Sequence, residues 1–445
     1  MHNVRTLEQQ TALYITQTCQ LLPPERSCDK ILTALSGGAD SVALLRMIIR
    51  LGYTTVAAHC NFHLRGDESE RDEAFVRNLC NQLGIHLHVT HFDTQAYATQ
   101  QGISIEMAAR KLRYQWFEEL CQKHGYTHVA VAHHRDDSVE TVLLNLIRGT
   151  GIHGLTGIKP RKGRIIRPFL QTDRKNIIEY LAALGQSYVT DSSNLCDNYV
   201  RNYIRLSLLP MMEKLNPSVR QSIAETAERL EQTACIYDDA VCQAMERICN
   251  KNQDTIDIPA LLKEKNPQTV LYELLASKGF NASQTKQIYQ CMLTGESGKV
   301  FQSSKYRLLR DRETLILTPI GHNQLPEEGN NGFTYSIHNY TPDFAIPRDK
   351  ETACIDAETV KLPLSIRLYR QGDRFAPFGM GGKKKLVSDY LTDCKRSRFQ
   401  KERQQVVCDA EGRIVWLVDE RSDERFKVTA KTRQVIIIKA TGINL

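Results

Sequence analysis

Two rhythms of apolar and polar positions alternate over the first third of the chain. Short runs, "KILTAL", "TTVAAH", "HLHVTHF" and "THVAVA", have the length and β-branched content of strands. Between them, residues 40–51, 67–83, 105–124 and 136–148 place apolar side chains at helical spacing. Alternation on this scale predicts an α/β domain, a parallel sheet with helices on both faces. Ligands of such sheets bind beyond the carboxyl ends of the strands. Polar clusters follow Leu35, Ala58 and Ala132, each at the end of a predicted strand.

The pattern then changes. "RGTGIHGLTGIKPRKGRIIRPF" is rich in Gly and basic residues and reads as loop. A helix over 173–185 follows, with Asp173 as its N-cap. From 207 to about 293 the patterns are almost wholly helical, with one long amphipathic candidate over 216–249. "YRLLRDRETLILTP" reads as short strands, and "GHNQLPEEGNNG" as a polar linker. The last segment mixes strands "LSIRLY", "RIVWLV" and "QVIIIK" with a helix over 386–393. Three domains are expected: 1–207 α/β, 208–335 mainly helical and 336–445 small α+β.

Composition sharpens this picture. The chain has 445 residues, 41% hydrophobic and 24% charged, as in soluble globular proteins. No run reaches membrane-spanning length and the start has no signal-peptide pattern, so no membrane and a cytoplasmic location are expected. Its 13 cysteines never form Cys-x-x-Cys, which argues against a disulfide framework, a zinc ribbon or an iron–sulfur site. Cys235, Cys242 and Cys249 recur every seven residues and read as the core face of a helix. The net charge of +7 is uneven: residues 361–445 hold 19 Lys/Arg against 10 Asp/Glu. Such an excess suits a nucleic-acid surface, although charge alone also suits a solvated one.

The candidate chemistry begins at "SGGADS", residues 36–41. Gly37 and Gly38 let backbone N–H groups approach an anion, and the following helix adds its positive end. Ser36 and Ser41 add hydroxyl donors, and Ala39 completes the turn. Asp40 would repel a bare phosphate, which points to Mg²⁺ beside it. After the second strand, "HCNFHLRGDESERDEAFV" offers Asn61, His63 and Arg65 to the site. Its charged helix face is assigned to solvent, with Asp67 as N-cap and Glu70 completing a capping box. In "SIEMAARKLRYQWFEEL", Glu106, Arg110 and Arg113 share a helix face, either as a local ion pair or as a substrate-facing set. After the fourth strand, "AHHRDDSVETVLLNLIRGTG" gathers Asp136, Asp137 and Glu140 at a helix start, behind His133. Acids there either complement the helix dipole or hold a cation.

These blocks resemble the tRNA-lysidine synthase family of the N-type ATP pyrophosphatases. "SGGADS" looks like that class's pyrophosphatase loop. The residues from Asn61 to Asp72, the Glu-x-x-Ala-Arg-x-x-Arg-Tyr helix and the His-His-x-Asp-Asp-x-x-Glu-Thr stretch look like the family's blocks. So do "RPFLQTDRKNIIEYL", "TDSSN" (Thr190 to Asn194), "YVRNYIRLSLLP" and "YRQGDRFAPFGMGGKKKLVSDYLTD". The resemblance covers both ends of the chain and is weakest over 207–346. It implies a PP-loop (HUP-like) catalytic domain that uses ATP and Mg²⁺ to join L-lysine to the wobble cytidine of a CAU-anticodon tRNA(Ile).

On this resemblance Ser36 to Ser41, Asn61 and His133 would bind ATP, with Asp40 on the metal. His63, Glu106, Asp136, Asp137 and Glu140 would meet lysine, and the last three, with Asp40, would be catalytic. Arg65, Arg110, Arg113, Arg201, Arg205, Arg370, Arg374, Lys383, Lys384 and Lys385 would face tRNA. A homodimer is the family-level expectation. The alternatives are a thiolase of the same loop class, which would want paired cysteines, and a tRNA-binding protein that nucleotide only orders.

Overall fold

The computed structural model describes residues 2–26, 28–190, 200–321, 333–347 and 349–440. These fall into two compact units, 1–237 and 238–445. Asp191 to Asn194 and most of the "GHNQLPEEGNNG" linker lie outside the described residues.

The first unit opens with helix α1 (His2–Gln17), for which no element was expected. Strands β1 (Lys30–Ala34), β2 (Thr54–Asn61), β3 (Leu87–His91) and β4 (His128–Ala130) follow the predicted runs. Helices α2 (Ala39–Arg50), α3 (Asp67–Leu83), α4 (Thr94–Gln101), α5 (Ile105–His124) and α6 (Arg135–Arg148) lie between and after them. The Gly-rich stretch is not all loop. It forms a short helix α7 (Ile152–Leu155) and strands β5 (Arg161–Lys162) and β6 (Ile165–Ile166). The sheet order is β3-β2-β1-β4-β6-β5, parallel except for the β5–β6 pair. The chain winds one way from β1 to β3 and the other way from β1 to β4, so the topological switch lies between β1 and β4.

Side chains of β1 alternate between two cores. Ile31 joins α1, α2 and helix α8 (Arg174–Ala183), while Leu32 joins Phe117 and Leu120 of α5. Asp173 caps α8 as expected, its Oδ1 accepting from Asn176 N at 2.8 Å. Asp67 does not cap α3. Gly66 occupies the cap, and Asp67 begins the helix. Nor is the charged face of α3 wholly solvated, since Asp72 and Glu73 are 4% and 7% exposed. Arg65 and Arg71 satisfy Asp72, while Asn61 and Arg77 satisfy Glu73.

Helix α9 (Val200–Tyr203) runs through a π-helical stretch (Ile204–Leu208) into α10 (Leu209–Leu215), and α6 packs there through Val139, Leu143, Ile204 and Leu209. The long helix α11 (Val219–Ile248) follows. Its buried positions are Val219, Ala227, Ala234, Val241, Ala244 and Ile248, whereas Cys235 and Cys242 are exposed. The expected cysteine core face is therefore corrected.

In the second unit, β7 (Thr255–Asp257), α12 (Ile258–Lys263), α13 (Pro267–Ser277), α14 (Ala282–Thr294), β8 (Val300–Gln302), β9 (Tyr306–Asp311) and β10 (Thr314–Pro319) enclose one apolar cluster. Beyond them, β11 (Phe333–Asn339), β12 (Thr352–Asp356) and β13 (Ser365–Leu368) precede β14 (Arg374–Phe375) and β15 (Lys385–Leu386). Helices α15 (Val387–Asp393) and α16 (Arg398–Arg403) lead to β16 (Gln405–Cys408), β17 (Ile414–Leu417), β18 (Arg421–Ser422) and β19 (Gln434–Ala440). Trp416, Phe426 and Ile436 centre one cluster there, and Phe375 with Leu391 another. No described helix is long and apolar enough to cross a membrane.

Candidate active site

A cavity of about 480 Å³ opens at the carboxyl ends of β1, β2 and β4, at the topological switch. Its floor is the glycine loop. Gly37 takes φ +96°, and an added Cβ would meet Val76 Cγ2 at 3.3 Å, so the turn needs glycine twice over. Ser36 Oγ and Ser41 Oγ lie 3.1 Å apart, and Ser41 Oγ donates to Gly38 O at 2.9 Å. No side chain caps α2, so its first N–H groups face the cavity without a side-chain acceptor. Val189 N donates to Gly37 O at 2.9 Å, which pins the loop from outside it.

Asp40 stands in the first turn of α2 and lines the cavity. Its Oδ2 lies 3.9 Å from His134 Nε2 and 3.8 Å from Arg174 Nη1. Its Oδ1 is buried with no hydrogen-bond partner. Burial raises the carboxyl pKa, and Asp137 adds to the rise, against the pull of His134 and Arg174. A buried carboxylate oxygen without a donor fits a cation. No group of three or more His, Cys, Asp or Glu among the described residues forms a metal cage.

The acids of α6 separate into different environments. Asp137 lines the cavity; its Oδ2 accepts from His134 N at 3.0 Å and its Oδ1 from Arg201 Nη2 at 3.3 Å. Asp136 and Glu140 are outside the lining. Asp136 accepts from Arg174 N at 3.0 Å and Arg220 Nη1 at 3.4 Å. Glu140 is 2% exposed and accepts from Arg201 Nε at 2.8 Å. Arg201 is thus committed to two acids.

His133 lines the cavity, and Arg167 Nε donates to its Nδ1 at 3.2 Å. Burial lowers its pKa to about 4, with Arg167, Arg201 and Arg110 adding to the fall and Asp137 opposing it. The ring is neutral at pH 7, and accepting at Nδ1 puts its proton on Nε2. His134 is nearly buried and sits 3.5 Å from Asp137, 3.7 Å from Asp136 and 3.9 Å from Asp40.

Other expected residues are placed unevenly. Asn61 lines the cavity, but its amide is spent on α3, donating to Glu70 at 3.1 Å and Glu73 at 3.0 Å. His63 lies outside the lining, 3.0 Å from His91 and 3.3 Å from Glu70. Arg65 and Arg113 line it, one on Asp72 at 2.9 Å and the other stacked on Phe62. Arg205 lines it and donates to Asn202 at 2.7 Å. Glu106 and Arg110 are exposed, outside the lining, and no ion pair joins them among the described residues. In the second unit Arg370, Arg374, Lys383 and Lys384 are exposed, whereas Lys385 is bound to Asp393.

Sequence reasoning gave no site role to His59, His134, Arg167, Arg174 or the segment Tyr188 to Thr190, although His134, Arg167, Arg174 and Thr190 lie within the quoted blocks. Arg174 was legible as the first residue after the Asp173 cap. The other placements are tertiary and carry no spacing signal.

A glycine loop beneath an uncapped helix at the switch point is built to hold the phosphates of a nucleotide, and the sequence places it in the PP-loop class. Residues 8–212 match the PP-loop domain family, and residues 249–320 match the TilS substrate binding domain. The chain is 51% identical to a tRNA(Ile)-lysidine synthase of Bacteroides thetaiotaomicron, covering 97% of this chain and 99% of that one. It is 46% identical to that of Parabacteroides distasonis, over 97% and 99%. The chain belongs to the tRNA(Ile)-lysidine synthase family.

Proposed function

We propose that this chain joins the ε-amine of free L-lysine to C2 of the wobble cytidine in the CAU anticodon of tRNA(Ile), converting ATP to AMP and pyrophosphate. The observation that carries the reading is the near full-length identity to relatives named for that activity. In the first step the cytidine O2 attacks the α-phosphate, and the bond to pyrophosphate breaks. In the second the lysine nitrogen attacks C2, the C2–O bond breaks and AMP leaves. The wobble base then pairs with A, so the tRNA reads AUA rather than AUG.

The residues divide the work. N–H groups of the Ser36 to Ser41 loop hold the departing pyrophosphate, where developing charge needs preorganised donors. Asp40 would hold Mg²⁺, which would neutralise phosphate charge when bound. His133, neutral with its proton on Nε2, donates to an acceptor on nucleotide or base. Asp137, alone among the three acids of α6 in lining the cavity, orients the lysine amine and accepts its proton. Asp136 and Glu140 act through what they hold: the start of α8 and the Arg201 side chain. Arg65, Arg113 and Arg205 face the phosphates, and the cytidine reaches them unstacked from its loop.

Residues 1–207 are proposed as the catalytic domain, with 208–335 and 336–445 shaping the tRNA surface. The protein acts in the cytoplasm. The proposal includes a homodimer. Pyrophosphate release should require tRNA and lysine together, and mass spectrometry should find lysine added to the wobble base. Turnover with sulfide in place of lysine would refute the reading in favour of a thiolase.

A further inference from the structure

Four arginines line the cavity at the glycine loop, and they are not equivalent. Arg65 donates to Asp72 at 2.9 Å, Arg205 donates to Asn202 at 2.7 Å, and Arg113 lies over the Phe62 ring. Arg174 differs. Among the described residues its guanidinium has one ionic contact, Asp40, with Nη1 3.8 Å from Oδ2. That is about 1 Å longer than a charge-assisted hydrogen bond. The side chain is 43% exposed, so the donors of its planar fork stay open to an incoming anion.

The backbone of Arg174, in contrast, is fixed. Its N–H donates to Asp136 Oδ2 at 3.0 Å. The preceding Asp173 accepts from Arg135 Nη2 at 2.8 Å through one oxygen and caps Asn176 N at 2.8 Å through the other. Two consecutive residues at the start of α6 therefore clamp the start of α8, and the guanidinium reaches the cavity from a held base. Asp40 belongs to the first turn of α2, directly after the glycine loop. A cation within 4 Å of it is thus beside the phosphate-binding N–H groups.

We propose that Arg174 binds the pyrophosphate end of the nucleotide. Its guanidinium exchanges the loose contact with Asp40 for two phosphate oxygens, which its parallel N–H donors match better than one distant carboxylate. When the bond from the α-phosphorus to the bridging oxygen breaks, that oxygen keeps the electron pair. The new charge falls on the group that Arg174 holds, so the arginine favours departure as well as binding. Arg135 and Asp136 are then positioning residues, because they hold the backbone from which Arg174 reaches. The inference deepens the nucleotide reading of this cavity and rests on it, but it needs neither lysine nor tRNA.

Calorimetric titration of inorganic pyrophosphate, and separately of AMP, into the full-length protein with Mg²⁺ present tests it. The expected result is pyrophosphate binding weakened at least tenfold by Arg174→Ala, with AMP affinity changed less than twofold. Arg174→Lys should fall between Arg174→Ala and the parent, since it keeps the charge and loses the fork. Pyrophosphate affinity unchanged in Arg174→Ala overturns the proposal. So does an equal loss of pyrophosphate and AMP affinity, which would mean that the whole site was damaged. A parent protein that binds AMP but not pyrophosphate overturns this inference alone, whereas one that binds neither overturns the nucleotide reading with it. If only the lysine reaction is wrong, the Arg174-dependent pyrophosphate event remains. Circular dichroism of Arg174→Ala, expected to match the parent, excludes unfolding as the cause of loss.

Discussion

Asp40 is held as a charge where burial opposes it, with one oxygen unpartnered. Its folded pKa lies above its ordinary value, so the ionised form is disfavoured in the empty fold and the disfavour grows as pH rises through that pKa. Asp40→Asn should therefore stabilise the ligand-free protein at pH 7 while activity falls at least a hundredfold. Urea unfolding and pyrophosphate release measure the two, and a destabilised or fully active variant contradicts the assignment. His133 has the opposite shift, with a folded pKa of about 4. Between an ordinary histidine value of about 6.5 and that value, the unfolded chain binds more protons. Stability is thus full above the unfolded value and falls as pH drops toward the folded one. The expected loss from this group is about 2 kcal/mol at pH 5, and His133→Asn should abolish that part of the acid sensitivity. Arg167→Gln keeps an N–H near Nδ1 but removes a charge that opposes protonation. The His133 titration followed by NMR should then move upward from about 4.

At the scale of elements, α6 and α9 are joined by the Arg201 pairs with Glu140 and Asp137. Glu140 is almost fully buried, so Arg201→Ala leaves a charge inside the fold and should cost about 3 kcal/mol in chemical denaturation. Combining Arg201→Met with Glu140→Leu should recover most of that, because no charge is then left unpaired. A surface contact would show neither effect. The main strands and helices here were legible because apolar spacing of two or about four persists over whole elements. Strands β5 and β6 were not, at two residues each. The burial of Asp72 and Glu73 was not legible either, since their partners Arg65 and Asn61 arrive from the end of β2 and the loop after it. The cysteines of α11 are a subtler case. Cys235, Cys242 and Cys249 do share a face, but Ala227, Ala234, Val241 and Ile248 repeat every seven residues one position away. One residue is about 100° around a helix. Both stripes share one periodicity, only the cysteine stripe was read from the sequence, and packing decided that the other is buried. Within the site, the glycine loop was local and readable, whereas the different surroundings of Asp136, Asp137 and Glu140 depend on Arg174, Arg220 and Arg201.

At the scale of the whole molecule, charge and chemistry occupy different units. The cavity around Asp40 lies entirely within residues 1–237, while residues 361–445 carry the basic excess. A protein that grips tRNA through phosphates loses affinity steeply with salt, and each cation removed lowers the logarithmic slope by about 0.9 for a duplex. Lys383 and Lys384 are exposed without an ion pair among the described residues, whereas Lys385 is bound to Asp393. Their contributions should therefore differ despite adjacency. Lys383→Ala with Lys384→Ala should weaken tRNA binding at low salt by at least tenfold and reduce the salt slope by about 2. Lys385→Ala should change the slope by less than either neighbour's share, because its charge is already offset. In filter-binding measurements from low to moderate salt, ATP affinity should stay constant in both variants. Equal losses of ATP and tRNA affinity would mean that the basic segment supports the catalytic unit rather than contacting the nucleic acid, and the assignment of these lysines to tRNA would fall.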